Sequence, residues 1–418
     1  MRGRDLLALC VLALVLRLVA LWALPLGARE ERFECAPDEA GHFWVAAELA
    51  NGRLPTWPDT SWTIKGSFPP LQYAAQAMTL LPVRFGFDPG WLYRAPVVVE
   101  EVQGYPLARL GSALLGVLTV VLLAQAAFEV TASREAGLAV GAMAALYPQF
   151  VFVGAYANGD AMTVAAGAVL VFGFARFAAA GEGERGLLWI AVGVALVLQG
   201  KPTGFGLLPA SGVWVLWAWR TGRLSTPALS RAVALGLLVC GPLLLWNAVR
   251  NGGDPLGLWL YRDYLGTGYV PRAGTGVPGA LGTFLTVFPA SAFGVFRNVD
   301  LPLPAPFFVV AGLFLVVGLL LAAREAASAS ALVRRAGAWL ASSLAITLGL
   351  AAWNAWLVDF QPQGRYALLC VLLLTGVALW GPVAGGRRFG RPWLWGYLAF
   401  LAVAALWTEW LLFSNPCL

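Results

Sequence analysis

The 418-residue sequence predicts an all-α, polytopic membrane protein. Three observations carry this. The chain is 59% hydrophobic, above the ~45–50% of soluble domains. Only 12% of its residues are charged, about half the soluble value. It also contains many apolar runs close to the roughly 20 residues that span hydrocarbon. Alternating segments of about ten residues, the mark of a membrane β-barrel, do not occur. The net charge of +6 is scattered rather than gathered in a basic stripe. It therefore points to orientation charges and lipid headgroups, not to nucleic acid.

Apolar periodicity places about eleven spans, within a range of roughly ten to thirteen. They are Leu6–Leu26, Leu107–Phe128, Ala136–Tyr156, Ala161–Ala178, Gly186–Pro202, Gly204–Trp219, Ala232–Ala248, Ala305–Ala323, Ala336–Val358, Tyr366–Val383 and Trp393–Phe413. The first has a basic start and small residues at its end, like a signal peptide, but its apolar core is long for one. It reads as an uncleaved span. Arginines such as Arg4, Arg134, Arg185, Arg220, Arg334 and Arg391 fall in alternate short loops. The positive-inside rule then puts the N-terminus in the cytoplasm. Arg17 lies within the first span and requires a partner or a path to water; an ion pair or snorkelling would serve.

Two outer loops are long, residues 27–106 and 250–304. The first holds "DEAGHFWVAAELANG", with helix start and stop signals, and "PPLQYAAQAMTLLPVRFG", too short to span. Both read as helices lying along the membrane surface. The second loop mixes aromatics with glycine, like a lid. The whole chain reads as one membrane domain. Cys10, Cys240 and Cys370 sit in apolar runs, while Cys35 and Cys417 fall on the same outer side, where a disulfide would be geometrically allowed.

With this topology the unusual polar groups share one face. They are Asp38, Glu39 and His42 (the sole histidine), Asn158 and Asp160 of "YANGD", Lys201, and Gln363, Arg365 and Tyr366 of "QGRY". Both lysines of the chain, Lys65 and Lys201, are also there. Polar groups at membrane depth are costly and mark function. Asp38 reads as an N-cap after Pro37 or as a general base on a hydroxyl, and the two are compatible. Glu39 is its solvated neighbour or shares its catalytic role. His42 reads as an orienting hydrogen-bond partner, and Asp160 as the cap of the next span or a sugar-binding acid. Lys201 and Arg365 break the short-loop charge pattern and suit a lipid phosphate; headgroup snorkelling is the plainer alternative. Tyr366 fits either that site or an interfacial belt.

"PDEAGHFWVAAELANGRLP" after a first span resembles the first outer loop of GT-C glycosyltransferases, which take a sugar from a polyprenyl-phosphate carrier. The protein O-mannosyltransferases and the lipid A aminoarabinose transferase belong to this superfamily. "FPPLQY" followed by "FG", then "YANGDA" and "KPTGFGLLP", are similar to the next motifs. "QPQGRY" is closer to a bacterial branch of polytopic proteins. One departure is plain: the aminoarabinose-transferase type carries a lysine beside the prolines, where this chain has Phe68, with Lys65 three residues further back.

The resemblance implies a GT-C fold in a bacterial inner membrane, with the site on the periplasmic side. It implies an inverting transfer from a polyprenyl-phosphate-linked sugar to a lipid, glycan or protein acceptor. Asp38 and Glu39 would be the catalytic acids, and Lys201, Arg365 and Tyr366 would hold the donor phosphate. His42, Tyr73, Asn158, Asp160 and Gln363 would contact substrate. A divalent metal (Mg or Mn) could bind through Asp38 and Asp160. The alternative function is a transporter or flippase of a lipid-linked sugar.

Overall fold

The computed structural model describes residues 1–24, 36, 38–54, 64–86, 105–181, 183–268, 277–297, 299–326, 330–357, 363–384 and 388–415. The side chains of 264–268, 277–280, 326 and 354–357 are not described. Cys35, Pro37 and Cys417 lie outside these residues, and with them the question whether Cys35 and Cys417 pair.

The chain is helical almost throughout. α1 (Gly3–Ala23) is followed by the two short helices α2 (Glu39–Ala50) and α3 (Ala74–Arg84). The bundle continues with α4 (Tyr105–Thr131), α5 (Arg134–Leu146), α6 (Pro148–Val153), α7 (Gly159–Ala179), α8 (Glu184–Leu198), α9 (Leu208–Arg220) and α10 (Thr226–Arg250). α11 (Leu258–Gly268), α12 (Val277–Phe293) and a small hairpin, β1 (Val295–Phe296) with β2 (Leu301–Pro302), precede α13 (Ala305–Ala326), α14 (Ala331–Leu357), α15 (Leu368–Ala384) and α16 (Gly390–Ser414). Eight of the described helices are long and apolar enough to cross a membrane: α1, α4, α7, α10, α13, α14, α15 with its preceding turn, and α16. The other three expected spans are also helical but shorter. One is broken into α5 and α6 at Pro148, which lacks the amide that would continue the ladder. The others are α8 and α9, of 15 and 13 residues.

The long first loop behaves as its start and stop signals indicate. α2 ends at Asn51, and Gly52 supplies the positive φ of the exit. α3 follows a 3-10 turn, Pro70–Tyr73. The two pack on each other over a small core of Val45, Ala46, Tyr73, Ala77 and Leu80. The second long loop is more regular than a lid of irregular chain: its interspersed glycines and prolines conceal the apolar helical run Leu281–Phe293.

α7 is the centre of the bundle, with 89% of its apolar window buried. Its close neighbour α8 approaches through small residues. A Cβ on Gly193 would meet the Leu170 backbone at 2.6 Å, and one on Gly173 would meet Ile190 N at 2.6 Å. This contact matters for the site because α7 begins beside Asp160 and α8 ends beside Lys201. Arg17 does not snorkel, and among the described residues it forms no close ion pair. It is wholly buried, donates to Ala13 O at 3.0 Å and lies 4.5 Å over the Phe150 ring. Glu409 of α16 supplies the electrostatic counterweight. Gly116 and Gly154 make the space, since a Cβ on either would collide with the Arg17 side chain. At the far end of α1, Asp5 takes a forked pair from Arg134 at 2.6 and 2.7 Å.

Gly193→Val should wedge α7 from α8 and cost about 1–3 kcal/mol or more. The expected result is a lowered unfolding midpoint of the purified protein, and an unchanged midpoint would refute the close contact.

Candidate active site

Five separate stretches meet at one end of the bundle. Asp38 opens α2 but does not cap it: its side chain accepts no bond from the helix amides, and its backbone is left-handed (φ 57°, ψ 16°). A non-glycine residue pays roughly 1–2 kcal/mol for that conformation. Here it leaves the carboxylate turned to Lys65 Nζ at 2.9 Å, with half of the Asp38 side chain (51%) exposed. Burial would raise the Asp38 pKa, but Lys65, His42 and Lys201 together hold the carboxyl below the usual range.

Asp160 does not cap α7 either. That task falls to Asn158, whose Oδ1 accepts from Ala161 N at 2.8 Å while its amide donates to Val153 O and Tyr156 O at 2.7 Å. The Asn158 side chain is thus fully engaged in shaping the turn, and the expectation that it contacts substrate is replaced by this local role. Freed from capping, Asp160 pairs with Lys201 Nζ at 3.0 Å and stands 3.8 Å from Arg365 Nε. Arg365 Nη1 donates to Tyr156 Oη at 3.1 Å. Both Asp160 Oδ2 and Arg365 Nε lack a hydrogen-bond partner among the described residues. Arg365 rides on a 3-10 turn, Gly364–Ala367, headed by half-buried Gln363, whose carbonyl accepts from Tyr366 N. The guanidinium lies 5.8 Å from the Tyr366 ring, and both residues line a cleft with Asp160, Thr163 and Thr203.

His42 and Tyr73 face each other beneath Asp38, Nδ1 to Oη at 3.2 Å. Burial, then Lys201 and Lys65, depress the His42 pKa well below 6.5, against the pull of Asp38. Arg365 acts on it in the same direction. His42 therefore feels Lys201, Lys65, Asp38 and Arg365 at once. Burial also raises the Tyr73 phenol well above its ordinary value.

Glu39 is the correction. It is neither solvated nor turned to a substrate space: it is 5% exposed and takes a forked pair from Arg109 at 2.7 and 2.8 Å. Ala157 N donates to the same carboxylate at 2.9 Å. Arg109 also donates to Leu21 O and Leu24 O. Glu39 thus ties α2, α4, the end of α1 and the turn before α7 together.

A divalent metal held by Asp38 and Asp160 would have to displace a lysine from each. Asp38 and Asp160 are each paired with an ammonium group, and no cluster of three or more His, Cys, Asp or Glu forms among the described residues. Sequence reasoning noted Lys65 without giving it a role, and passed over Arg109 and Tyr156. The signal for Lys65 was present: it is one of two lysines in the chain.

These features define a polytopic membrane protein whose paired acids and bases gather at one end. Comparison places that class more closely. Residues 90–246 match the family described as dolichyl-phosphate-mannose-protein mannosyltransferase. The apo oligosaccharyltransferase of Archaeoglobus fulgidus is similar with TM-score 0.55 and 13% identity, covering 99% of this chain and 56% of its own. The same enzyme in complex with Zn and sulfate gives 0.52 and 14%, covering 95% and 53%. ArnT from Cupriavidus metallidurans in the apo state gives 0.54 and 15%, covering 97% and 75%. The chain thus spans little more than half the length of the oligosaccharyltransferase. No curated protein matches it in sequence. The fold is the GT-C fold, and the expected resemblance to GT-C superfamily glycosyltransferases is supported by family match and fold alike.

Glu39→Ala should behave as a folding defect, because it strands a buried guanidinium. A loss of about 3–5 kcal/mol is expected for such a break, read as a large drop in thermal midpoint. Wild-type stability with lost activity would instead return Glu39 to the chemistry.

Proposed function

We propose that the protein transfers a sugar from a polyprenyl-phosphate carrier to a hydroxyl of a cell-envelope acceptor. The observation that carries this reading is one pair of sites: a half-exposed, lysine-paired Asp38 beside the Asp160–Lys201–Arg365 cluster. A phosphate oxygen would accept from Arg365 Nε, which has no hydrogen-bond partner among the described residues, and Lys201 adds a second positive charge. The acceptor hydroxyl gives its proton to Asp38, and its oxygen attacks the anomeric carbon. The carbon–oxygen bond to the carrier breaks, and its electron pair stays on the phosphate, where the cations stabilise it. A single displacement of this kind inverts the sugar. Tyr366 flanks the phosphate, and His42 and Tyr73 set the floor beneath Asp38. The arginine distribution supports a periplasmic site in a bacterial inner membrane. The family match supports a lipid-phosphate sugar donor. Lipid, glycan and protein acceptors all present suitable hydroxyls. Transport of the lipid-linked sugar is less well supported: α7, which carries Asp160, is packed on nearly every side.

The test is incubation of purified protein with labelled polyprenyl-phosphate sugars and envelope acceptors. Asp38→Asn should reduce turnover at least ~100-fold, the scale of lost general-base catalysis, with donor binding retained. Near-normal turnover would remove the base. Arg365→Ala should weaken binding of the phosphate carrier, and unchanged affinity would refute its phosphate role.

The pH profile supplies a further check. Asp38 must be ionised to act, and its pKa is depressed, so activity should persist down to below the ordinary carboxylate value of 3.8. Lys65→Gln removes a cation, raises that pKa and should move the acidic limb upward. No limb is expected near 6.5, since His42 is already neutral there.

A further inference from the structure

Lys65 lies on the 3-10 turn Ile64–Ser67, and the next three residues, Gly66, Ser67 and Phe68, are buried. Their carbonyls require partners, because buried peptide groups are costly to leave unpaired. All three find them on the last turn of α10. Arg250 Nη2 donates to Gly66 O at 2.6 Å and Phe68 O at 3.1 Å. Asn251 and Asn247 donate to Ser67 O at 2.8 and 3.1 Å. The clamp is itself ordered: Asn247 Oδ1 accepts from Arg250 Nε at 2.7 Å, and the guanidinium lies 4.4 Å over Trp246. Gly257 presses on the same loop so closely that a Cβ would meet Ser67 O at 2.4 Å. These groups lie about 180 residues further along the chain, as the 184-residue separation of Arg250 and Gly66 records.

We propose that Arg250, with Asn247 and Asn251, is a positioning group that holds the Lys65 loop so that its ammonium stands on Asp38. The clamp spans two regions that nothing else in the transfer mechanism connects, the first long loop and the end of α10. Its bearing on catalysis rests on the reading above; its geometry does not, and neither does its test.

The chain offers a built-in measurement, because it has two lysines. Their side chains are similarly exposed, 15% and 14%, and each is paired with an aspartate. Site-resolved acylation by an amine-reactive reagent, quantified by mass spectrometry on the full-length purified protein, reports both at once. Arg250→Gln and Asn251→Leu should each speed Lys65 labelling by roughly fivefold, the factor expected for release from a partly exposed ion pair. Lys201 labelling should stay constant. Asp38→Asn, which breaks the pair directly, marks the ceiling. Lys65 labelling at the wild-type rate in both variants overturns the proposal, as does a parallel rise at both lysines, which would report general loosening. Unaltered lysine reactivity beside successful sugar transfer by wild-type protein would discard the clamp and keep the transferase reading. Selective Lys65 release in a protein inactive on every donor would uphold the clamp and discard the transferase reading.

Discussion

The site depends on the buried carboxylate of Glu39. Two charges withdrawn from water attract strongly, but each must also satisfy its remaining lone pairs and protons. Here Arg109 spends its outer nitrogens on Glu39 and on two carbonyls at the end of α1, and Glu39 takes an amide from the turn before α7. One ion pair thereby fixes where α2 begins relative to the rest of the bundle. Asp38 is the residue just before that helix, so its strained backbone is held by its neighbour's pairing. Adjacent acids with opposite surroundings divide the work: one is locked into the scaffold, and the other remains half open to a reactant.

The same division recurs at the start of α7. Asn158 and Asp160 are both good helix caps by type. The chain uses the amide for the cap and leaves the carboxylate to pair with Lys201. The result is a cluster in which cations are supplied by distant turns and acids by helix starts. Each acid has a cation at contact distance and stands at the N-terminal end of a helix. A donor phosphate of the kind proposed would therefore enter a place where positive charge is already balanced by protein carboxylates, and would compete with Asp160 for Arg365.

Much of this was legible in the sequence because apolar length and arginine bias are strong signals. The spans, the surface helices and the gathering of polar motifs follow from them. Residue-level roles were less legible. Glu39 and Asp38 are neighbours of like chemistry, and only the fold reveals that Arg109, 70 residues away, claims one of them. Lys65 sits outside the expected register beside the prolines, yet the 3-10 turn Ile64–Ser67 returns it to Asp38. The helix α12 was obscured because glycine and proline are read as breakers, whereas apolar surroundings stabilise helices that water would not. Arg17 found a carbonyl and an aromatic ring rather than a close ion pair, and Glu409, the acid that acts on it, lies near the other end of the chain.

Arg17 gives the bundle an unusual datum. Its side chain fills the hollow left by Gly116 and Gly154, and Gly154 begins the turn that delivers Asp160. The packing of α1 in the bundle is thus coupled, through one arginine, to the turn that leads to Asp160. A displacement of α1 would reach the Asp160 cluster through Arg17, from the interior of the bundle.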